Sequence, residues 1–402
     1  MDIRKRRILI NDHSGHHFSI QLSRVLANRG HEILYSYSSS FQGPKGALDR
    51  RADDPKNIQI KGIVLSEKFQ KYNYIKRKFQ EREFGRILSL DIKRFKPDVV
   101  ISCNTPIDAQ SVILKTVQSK NIRFVFWVQD IYSIAIHKIL KKSIYFFGAL
   151  ISEYYKRMEQ KQLQKSDAVV LITEDFIPLM RSWNIEGSKC HVIHNWAPIN
   201  ELNITSKQND WSIQKRLNDK FCVMYSGTLG MKHNPEILFK ISEFYKENDD
   251  VRVVVVSEGL GAEWLKTKKT QLNLKNLFII NFQSFKDLSN VLSTADIFIA
   301  ILEPDAGIFS VPSKVLTYLC FQRPLILSVP AENLAARIVS QNNAGMVINP
   351  NNADMIIEKL DMLFKDSSLR KKMGINALKY AKSNFNIDVI ADSFEKIIHN
   401  IH

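Results

Sequence analysis

Gly307, Ser310, Pro312, Ser313 and Lys314 fall close together within residues 302–329, LEPDAGIFSVPSKVLTYLCFQRPLILSV. The stretch reads as a strand end, a glycine-containing loop, a helix, a turn and a further strand. Pro312 suits the first turn of the helix, where its missing N–H costs nothing, and Ser310 and Ser313 are candidate caps beside it. Backbone N–H groups are then aimed at whatever precedes the helix, and an anion such as a diphosphate would be held by them and by the helix dipole. Gly307 lets the backbone approach such a ligand, and Lys314 adds a point charge. A plain strand-loop-helix connection with a capped helix accounts for the same residues, so this stretch alone leaves both readings open.

A second cluster lies near the amino terminus. Residues 7–11 form an apolar strand, and Phe18, Leu22, Val25 and Leu26 recur at helical spacing before Gly30. The loop between them, Asp12-His13-Ser14-Gly15-His16-His17, sits at the carboxyl end of a first strand, where open parallel sheets bind ligands. Gly15, His16 and His17 are its candidate binding residues, and solvated loop histidines are the alternative. The full G-x-G-x-x-G fingerprint is absent, which gives a nicotinamide-type site little support. Residues 123–128 form another strand that delivers Asp130 to a similar place, as a site carboxylate or as a helix cap.

The elements that must position these residues repeat a strand-helix alternation. A strand at 31–37 is followed by a polar stretch, 38–56, with Gly43, Pro44 and Gly46, expected to be a mobile lid. Residues 68–96 are basic and aromatic at helical spacing, which fits a solvated helix with one packed face or a contact with a membrane surface. Strands at 98–103, 123–128, 167–172 and 190–194 follow, with one long helix expected over 136–165. Pro198 and a polar run then break the rhythm. It restarts with a strand at 220, a loop from Thr228 to Asn234 and Pro235 opening a helix, and continues through strands at 251–256, 277–281, 297–301 and 324–328. Two such runs predict an α/β protein of two doubly wound parallel-sheet domains facing across a cleft. The expected boundaries are 1–198, a linker at 199–218, and 219–384, with a C-terminal helix in 385–402 packing back on the first domain.

Composition narrows the class. The chain has 402 residues, 45% of them apolar, and a formal net charge of +16, which points to an anionic partner. Its four cysteines, Cys103, Cys190, Cys222 and Cys320, are far apart and suggest neither a zinc site nor a disulfide framework. The basic start is followed by too short an apolar run for a signal-peptide core, so no export is expected. Dispersed basic residues and the lack of a recognised module argue against a nucleic-acid partner. No Asp-x-Asp element is present to anchor a divalent metal.

At residues 225–235, YSGTLGMKHNP, and 311–327, VPSKVLTYLCFQRPLIL, the chain resembles family 4 of the retaining glycosyltransferases, which have the GT-B fold. The nearest branch is similar to bacterial capsule and exopolysaccharide enzymes of the colanic-acid fucosyltransferase type, and the resemblance covers essentially the whole chain. It implies that Gly227 and Gly230 let a loop pass close to the donor diphosphate, and that Lys232 neutralises the leaving group. It further implies donor contacts from Thr228, Glu258, Phe282, Asp305, Gly307, Ser310, Val311, Pro312, Ser313, Lys314 and Thr317. Asp130 and Lys232 are the implied catalytic residues, and Gly15, His16 and His17 the acceptor side. Family members carry an arginine where this chain has Thr228, so the positive charge must come from Lys232, Lys314 or Arg323. Phe309 and Thr317 occupy the places of the family's paired glutamates, and Glu303 or Asp305 would stand in.

The implied activity is transfer of a hexose from a UDP- or GDP-linked sugar to a lipid-linked or growing saccharide. The resemblance calls for no metal, no cofactor beyond the donor and no protein nucleophile. It would take place in the cytoplasm, peripherally at the anionic inner face of the cell membrane. A nucleotide-sugar epimerase of the same fold and a catalytically silent ligand-binding protein are the alternatives left open.

Overall fold

The computed structural model describes residues 5–401 other than 42, 44, 71–72, 144, 231–232, 305–310 and 353, and the backbone alone of 139, 141–143 and 145–147. The chain forms two compact units, Met1–His194 with Ile387–His402, and Asn195–Asn386.

The strands of the first unit are β1 (Arg7–Asp12), β2 (Glu32–Ser38), β3 (Ile58–Ile63), β4 (Val99–Cys103), β5 (Arg123–Val128), β6 (Ala168–Leu171) and β7 (Cys190–Val192). They make one sheet in the order β3-β2-β1-β4-β5-β6-β7, with every pairing parallel. Its central strands are near-continuous apolar runs, ILI in β1 and VVI in β4, because a parallel sheet with helices on both faces leaves no strand face to water. Helices α1 (His17–Asn28), α2 (Tyr74–Phe95), α3 (Ile107–Ser119), α4 (Tyr132–Ser143) and α5 (Tyr145–Gln164) supply crossovers.

In the second unit, β8 (Phe221–Ser226), β9 (Val251–Val256), β10 (Leu277–Ile280), β11 (Ile297–Ile301), β12 (Leu325–Ser328) and β13 (Gly345–Ile348) form a parallel sheet ordered β10-β9-β8-β11-β12-β13. Val223, Val253, Val255, Ile297, Ile299 and Ile326 form the middle of its core. Residues 195–218 are anchored on this unit: Trp211 and Leu217 are buried, and Ser293 Oγ accepts the Thr205 N–H at 2.9 Å.

The two-domain α/β reading holds, with local differences. Strands β3 and β13 were not foreseen. The single helix expected over 136–165 is two helices, α4 and α5, packed against each other; a Cβ on Gly148 of α5 would stand 3.0 Å from the Leu140 carbonyl oxygen of α4, so glycine permits the approach. The stretch expected to be a mobile lid is pinned where it is described. Gly46 N–H donates to the Gly15 carbonyl at 2.9 Å, and the buried Arg24 binds the Ala47 and Asp49 carbonyls and the Asp54 carboxylate. The C-terminal helix Ile387–Asn400 packs on α1 and inserts Phe394 against Trp127, with ring centroids 4.7 Å apart.

Candidate functional site

In the second unit the strand order turns back between β8 and β11, which makes their carboxyl ends the switch point where such sheets bind ligands. The residues on the β8 side are Tyr225, Ser226, Gly227 and Thr228. Tyr225 is fully buried, and its hydroxyl donates to the Thr228 carbonyl at 2.8 Å. From the other side comes Lys314, in the helix Ser313–Leu319. Its ammonium lies 3.8 Å from the Tyr225 ring centroid, donates to the Tyr225 hydroxyl and reaches the Thr228 carbonyl at 3.4 Å. Gly227 has φ +129° and covers the Lys314 stem. Tyr318, one helical turn beyond Lys314, locks the two elements together. Its hydroxyl accepts the Ser226 N–H at 2.7 Å and donates to the Ser226 carbonyl at 2.8 Å, while its ring stacks on Phe298 with centroids 4.2 Å apart. A lysine is thereby fixed beside a glycine turn at the sheet's ligand-binding edge.

Neighbouring loops complete this edge. His233 Nδ1 accepts the Gly230 N–H at 3.1 Å, closing the glycine loop on itself. Leu229 is buried, and its carbonyl accepts the Gly261 N–H at 2.9 Å, which ties the loop to the helix Leu260–Gln271 that follows β9. Glu258 Oε1 accepts the Phe282 N–H at 3.3 Å and so joins the ends of β9 and β10.

The first unit has its own switch point between β1 and β4. Asp12, fully buried at the end of β1, organises it. Its carboxylate accepts the N–H groups of Ser14, Gly15 and His16 at 3.0, 3.2 and 2.9 Å, and the Ser19 hydroxyl at 2.6 Å. His16 Nδ1 lies 3.2 Å from the same carboxylate. Burial alone would raise the Asp12 pKa, but the His16 charge and these hydrogen bonds outweigh it and hold it low. For His16 burial pulls downward, yet Asp12 and, farther off, Asp130 raise its pKa. His13 is different. It is buried among Phe41, Phe69 and Phe84, and desolvation drives its pKa down to about 3, so it stays neutral.

The β4 and β5 ends join this network. Asn104, in the left-handed region at φ +47°, donates to Ser14 Oγ at 2.6 Å and accepts from the Tyr132 hydroxyl. Tyr132 opens α4, whose first N–H groups, on Tyr132 and Ser133, are both accepted by Glu159 at 3.0 Å. Glu159 is buried, which pushes its pKa up to about 7 against the pull of those hydrogen bonds.

The comparisons agree with this architecture. Residues 17–201 match the family model described as Glycosyltransferase Family 4, and residues 207–380 match Glycosyl transferases group 1. Among curated protein sequences none matches. Among solved structures, the chain is similar to sucrose-phosphate synthase from Thermosynechococcus elongatus, with a TM-score of 0.74 at 14% identity over 98% of each chain. Anabaena HepE in complex with UDP and glucose gives a TM-score of 0.72 at 14% identity over 98% of this chain and 100% of that one. WaaG, a glycosyltransferase involved in lipopolysaccharide biosynthesis, gives 0.69 at 13% identity over 98% and 100%. The chain has the GT-B fold of nucleotide-sugar-dependent glycosyltransferases.

Within that GT-B frame the expected residues can be placed. Gly227, Thr228, Gly230, Glu258, Phe282, Val311, Pro312, Ser313, Lys314 and Thr317 lie in or beside the carboxyl-edge loops of the second sheet, and Gly15, His16, His17 and Asp130 in those of the first. Lys232, Asp305, Gly307, Phe309 and Ser310 lie outside the described residues. Pro312 occupies the position before the helix, not its first turn, and Ser313 is the first helical residue with no side-chain cap at this end. Arg323 lies away from the carboxyl edge of the second sheet. Its guanidinium binds the Ala295 carbonyl at 2.7 Å on the amino side of β11, where it lines a cavity of about 210 Å³ with Asp296 and Arg370. Glu303 is partly buried at the end of β11. Tyr225 and Tyr318 stand inside the two sequence motifs with no role expected of them there, and Asp12, Asn104 and Glu159 are site residues beyond the sequence expectations. The only signal for the tyrosines was their place inside the two motifs. Among the described residues no group of three or more His, Cys, Asp or Glu side chains could hold a metal ion, and no helix is long and apolar enough to cross a membrane.

Proposed function

We propose that the chain is a retaining glycosyltransferase that moves a hexose from a UDP- or GDP-linked sugar to a lipid-linked or growing saccharide, in bacterial surface polysaccharide synthesis. The observation that carries this reading is the lysine held against a glycine turn at the second sheet's switch point, Lys314 beside Gly227. A nucleotide diphosphate needs donors and a fixed positive charge at such a place. HepE, similar in fold, was solved in complex with UDP and glucose, and WaaG is a glycosyltransferase involved in lipopolysaccharide biosynthesis, which supports a nucleotide-sugar donor and a place in polysaccharide synthesis.

In this reading the second unit holds the donor. Gly227, Thr228, Gly230 and the 311–314 segment cradle the diphosphate, Lys232 and Lys314 offset the charge that grows on it as the sugar C1–O bond breaks, and Glu258, Phe282, Asp305 and Thr317 contact the nucleoside and sugar. The first unit holds the acceptor, with Gly15, His16, His17 and Asp130 at its loop edge. The acceptor oxygen bonds to C1 on the face the diphosphate leaves, and its proton passes to the departing diphosphate, so the reaction needs neither protein nucleophile nor metal. The lipid-linked acceptor places the enzyme peripherally at the inner face of the cell membrane.

Thermal unfolding with UDP, GDP, ADP, dTDP and NAD in turn tests the donor site, since a ligand that binds only the folded state raises the midpoint. A rise with UDP or GDP is expected. No rise with any nucleoside diphosphate, or a rise with NAD alone, overturns the reading, and product analysis with donor alone separates transfer from epimerisation.

A further inference from the structure

Among the described residues, helices α2 and α5 of the first unit carry large apolar side chains exposed to solvent. Tyr74, Ile75 and Phe79 on α2, and Leu150, Ile151 and Tyr154 on α5, are between 41% and 74% exposed. The two groups are neighbours. Lys78, next to Phe79, lies 5.4 Å over the Tyr154 ring and 5.9 Å over that of Tyr155, and Asp108 of α3 ties the helices below by accepting Arg82 at 3.0 Å and the Tyr155 hydroxyl at 2.7 Å. Large apolar side chains clustered on one surface mark an interaction face, unlike the scattered singles elsewhere on the chain.

Charge selects the occupant. Helix α2 carries seven Lys and Arg against three Asp and Glu. Those three carboxylates are all engaged: Glu81 by Arg77 at 2.6 Å, Glu83 by the Ser66 N–H at 2.8 Å, and Asp91 by Lys61 at 2.5 Å. Lys76, whose ammonium lies 3.8 Å from Glu67, and Lys156 are exposed beside the apolar cluster, and Glu153 of α5 is bound by Arg157 at 2.7 Å. A second copy of the same face would bring positive charge onto positive charge. An anionic bilayer meets both features, taking Phe, Leu, Ile and Tyr at the level of the headgroups while its phosphates face the lysines.

We infer that this α2–α5 face docks the chain on an anionic lipid surface. The inference rests on the membrane-side reading proposed above and assigns it to named residues. Docking here is interfacial, by six side chains from two helix surfaces, and needs no spanning segment.

The test is flotation of the full chain with phosphatidylcholine vesicles, with and without one-third phosphatidylglycerol, at low and at 0.15 M salt. Binding to the phosphatidylglycerol vesicles, at least tenfold above the neutral ones and weakened by salt, is expected. Ile75→Ser with Phe79→Ser and Leu150→Ser should lower it at least tenfold, whereas Leu272→Ser with Val389→Ser, which removes exposed apolar residues elsewhere, should not. Unchanged binding of the triple variant overturns the inference, as does equal binding to neutral vesicles or none at all. Loss of a dimer in the triple variant, with vesicle binding intact, assigns the face to a second copy and also overturns it. Nucleotide-induced thermal shifts, measured without lipid on the same samples, report separately on the transferase reading.

Discussion

A Cβ placed on Gly227 would stand 3.0 Å from Lys314 Cε. The turn after β8 and the helix after β11 are therefore fitted to each other at the one spot where the donor charge is proposed to sit. Gly227→Ala has two costs, the φ of +129° and the displaced lysine. The backbone part is about 1–3 kcal/mol. Calorimetry with UDP or GDP should show a lower melting midpoint and a loss of nucleotide-induced stabilisation larger than the drop in stability accounts for. A variant that melts lower yet gains the usual shift with nucleotide would make this glycine purely structural.

Lys314→Met keeps an unbranched side chain over the Tyr225 ring and removes the charge. Transfer should fall about a hundredfold or more, the scale on which a fixed donor stabilises a developing anion. Thermal unfolding without ligand should stay close to that of the parent chain. Retained turnover would shift the charge to Lys232, whose own substitution to alanine is the matched experiment.

Why these positions were partly legible in the sequence has a physical answer. Strand-helix alternation follows from burial of both faces of a parallel sheet, so β1, β4, β8 and β11 announced themselves as apolar runs. Edge strand β3, IQIKGI, exposes alternate residues and lacks that signal. The break between α4 and α5 is carried by the approach of Gly148 to Leu140, a contact that periodicity does not encode. In the site, Lys314 was visible as a charge near a helix start. Its hold by Tyr225, and the Tyr318 clasp on Ser226, depend on which strands are neighbours, and only the strand order reveals that.

The C-terminal helix is held by charge as well as by Phe394. Arg29, after α1, binds the carboxylates of Asp392 and the buried Glu395, and His31 Nε2 lies 3.0 Å from the other Glu395 oxygen. Arg29→Ala leaves Glu395 with a single partner and should cost about 3 kcal/mol, the scale for breaking a buried pair. Hydrogen exchange should show Ile387–Asn400 losing protection first. Uniform loss across the first unit would mean that the helix is part of the cooperative core and not a separable strap.

The Asp12–His16 pair makes stability depend on pH above neutrality. The His16 pKa is raised in the fold, so its contribution is fully present below the unfolded value of 6.5 and is lost as pH rises through the higher folded value. Asp12, whose pKa is lowered, contributes above 3.8 and loses that contribution as pH falls through its folded value. Urea unfolding of the parent chain should weaken from pH 6.5 upward more than that of His16→Gln. Parallel curves would remove the pair from the stability of this loop.

Glu159 acts in a lower window that overlaps this one, and in the same direction as His16. Its folded pKa of about 7 exceeds the ordinary 4.5 because burial, the largest influence, disfavours the carboxylate more than the Ser133 and Tyr132 hydrogen bonds favour it. Between those two values the native state holds a proton that the unfolded chain has released, so stability falls as pH rises from about 4.5 to about 7. Glu159→Gln removes the titration and keeps an acceptor for one of the two N–H groups only, since Tyr132 and Ser133 bind different oxygens of the carboxylate. Its urea midpoint should be flatter with pH across that window than the parent's. The same variant should preserve the Tyr132–Asn104–Ser14 chain, because α4 still begins where it does. If instead Glu159→Gln follows the parent's pH dependence between about 4.5 and about 7, the titration of Glu159 does not govern the stability of the α4 terminus.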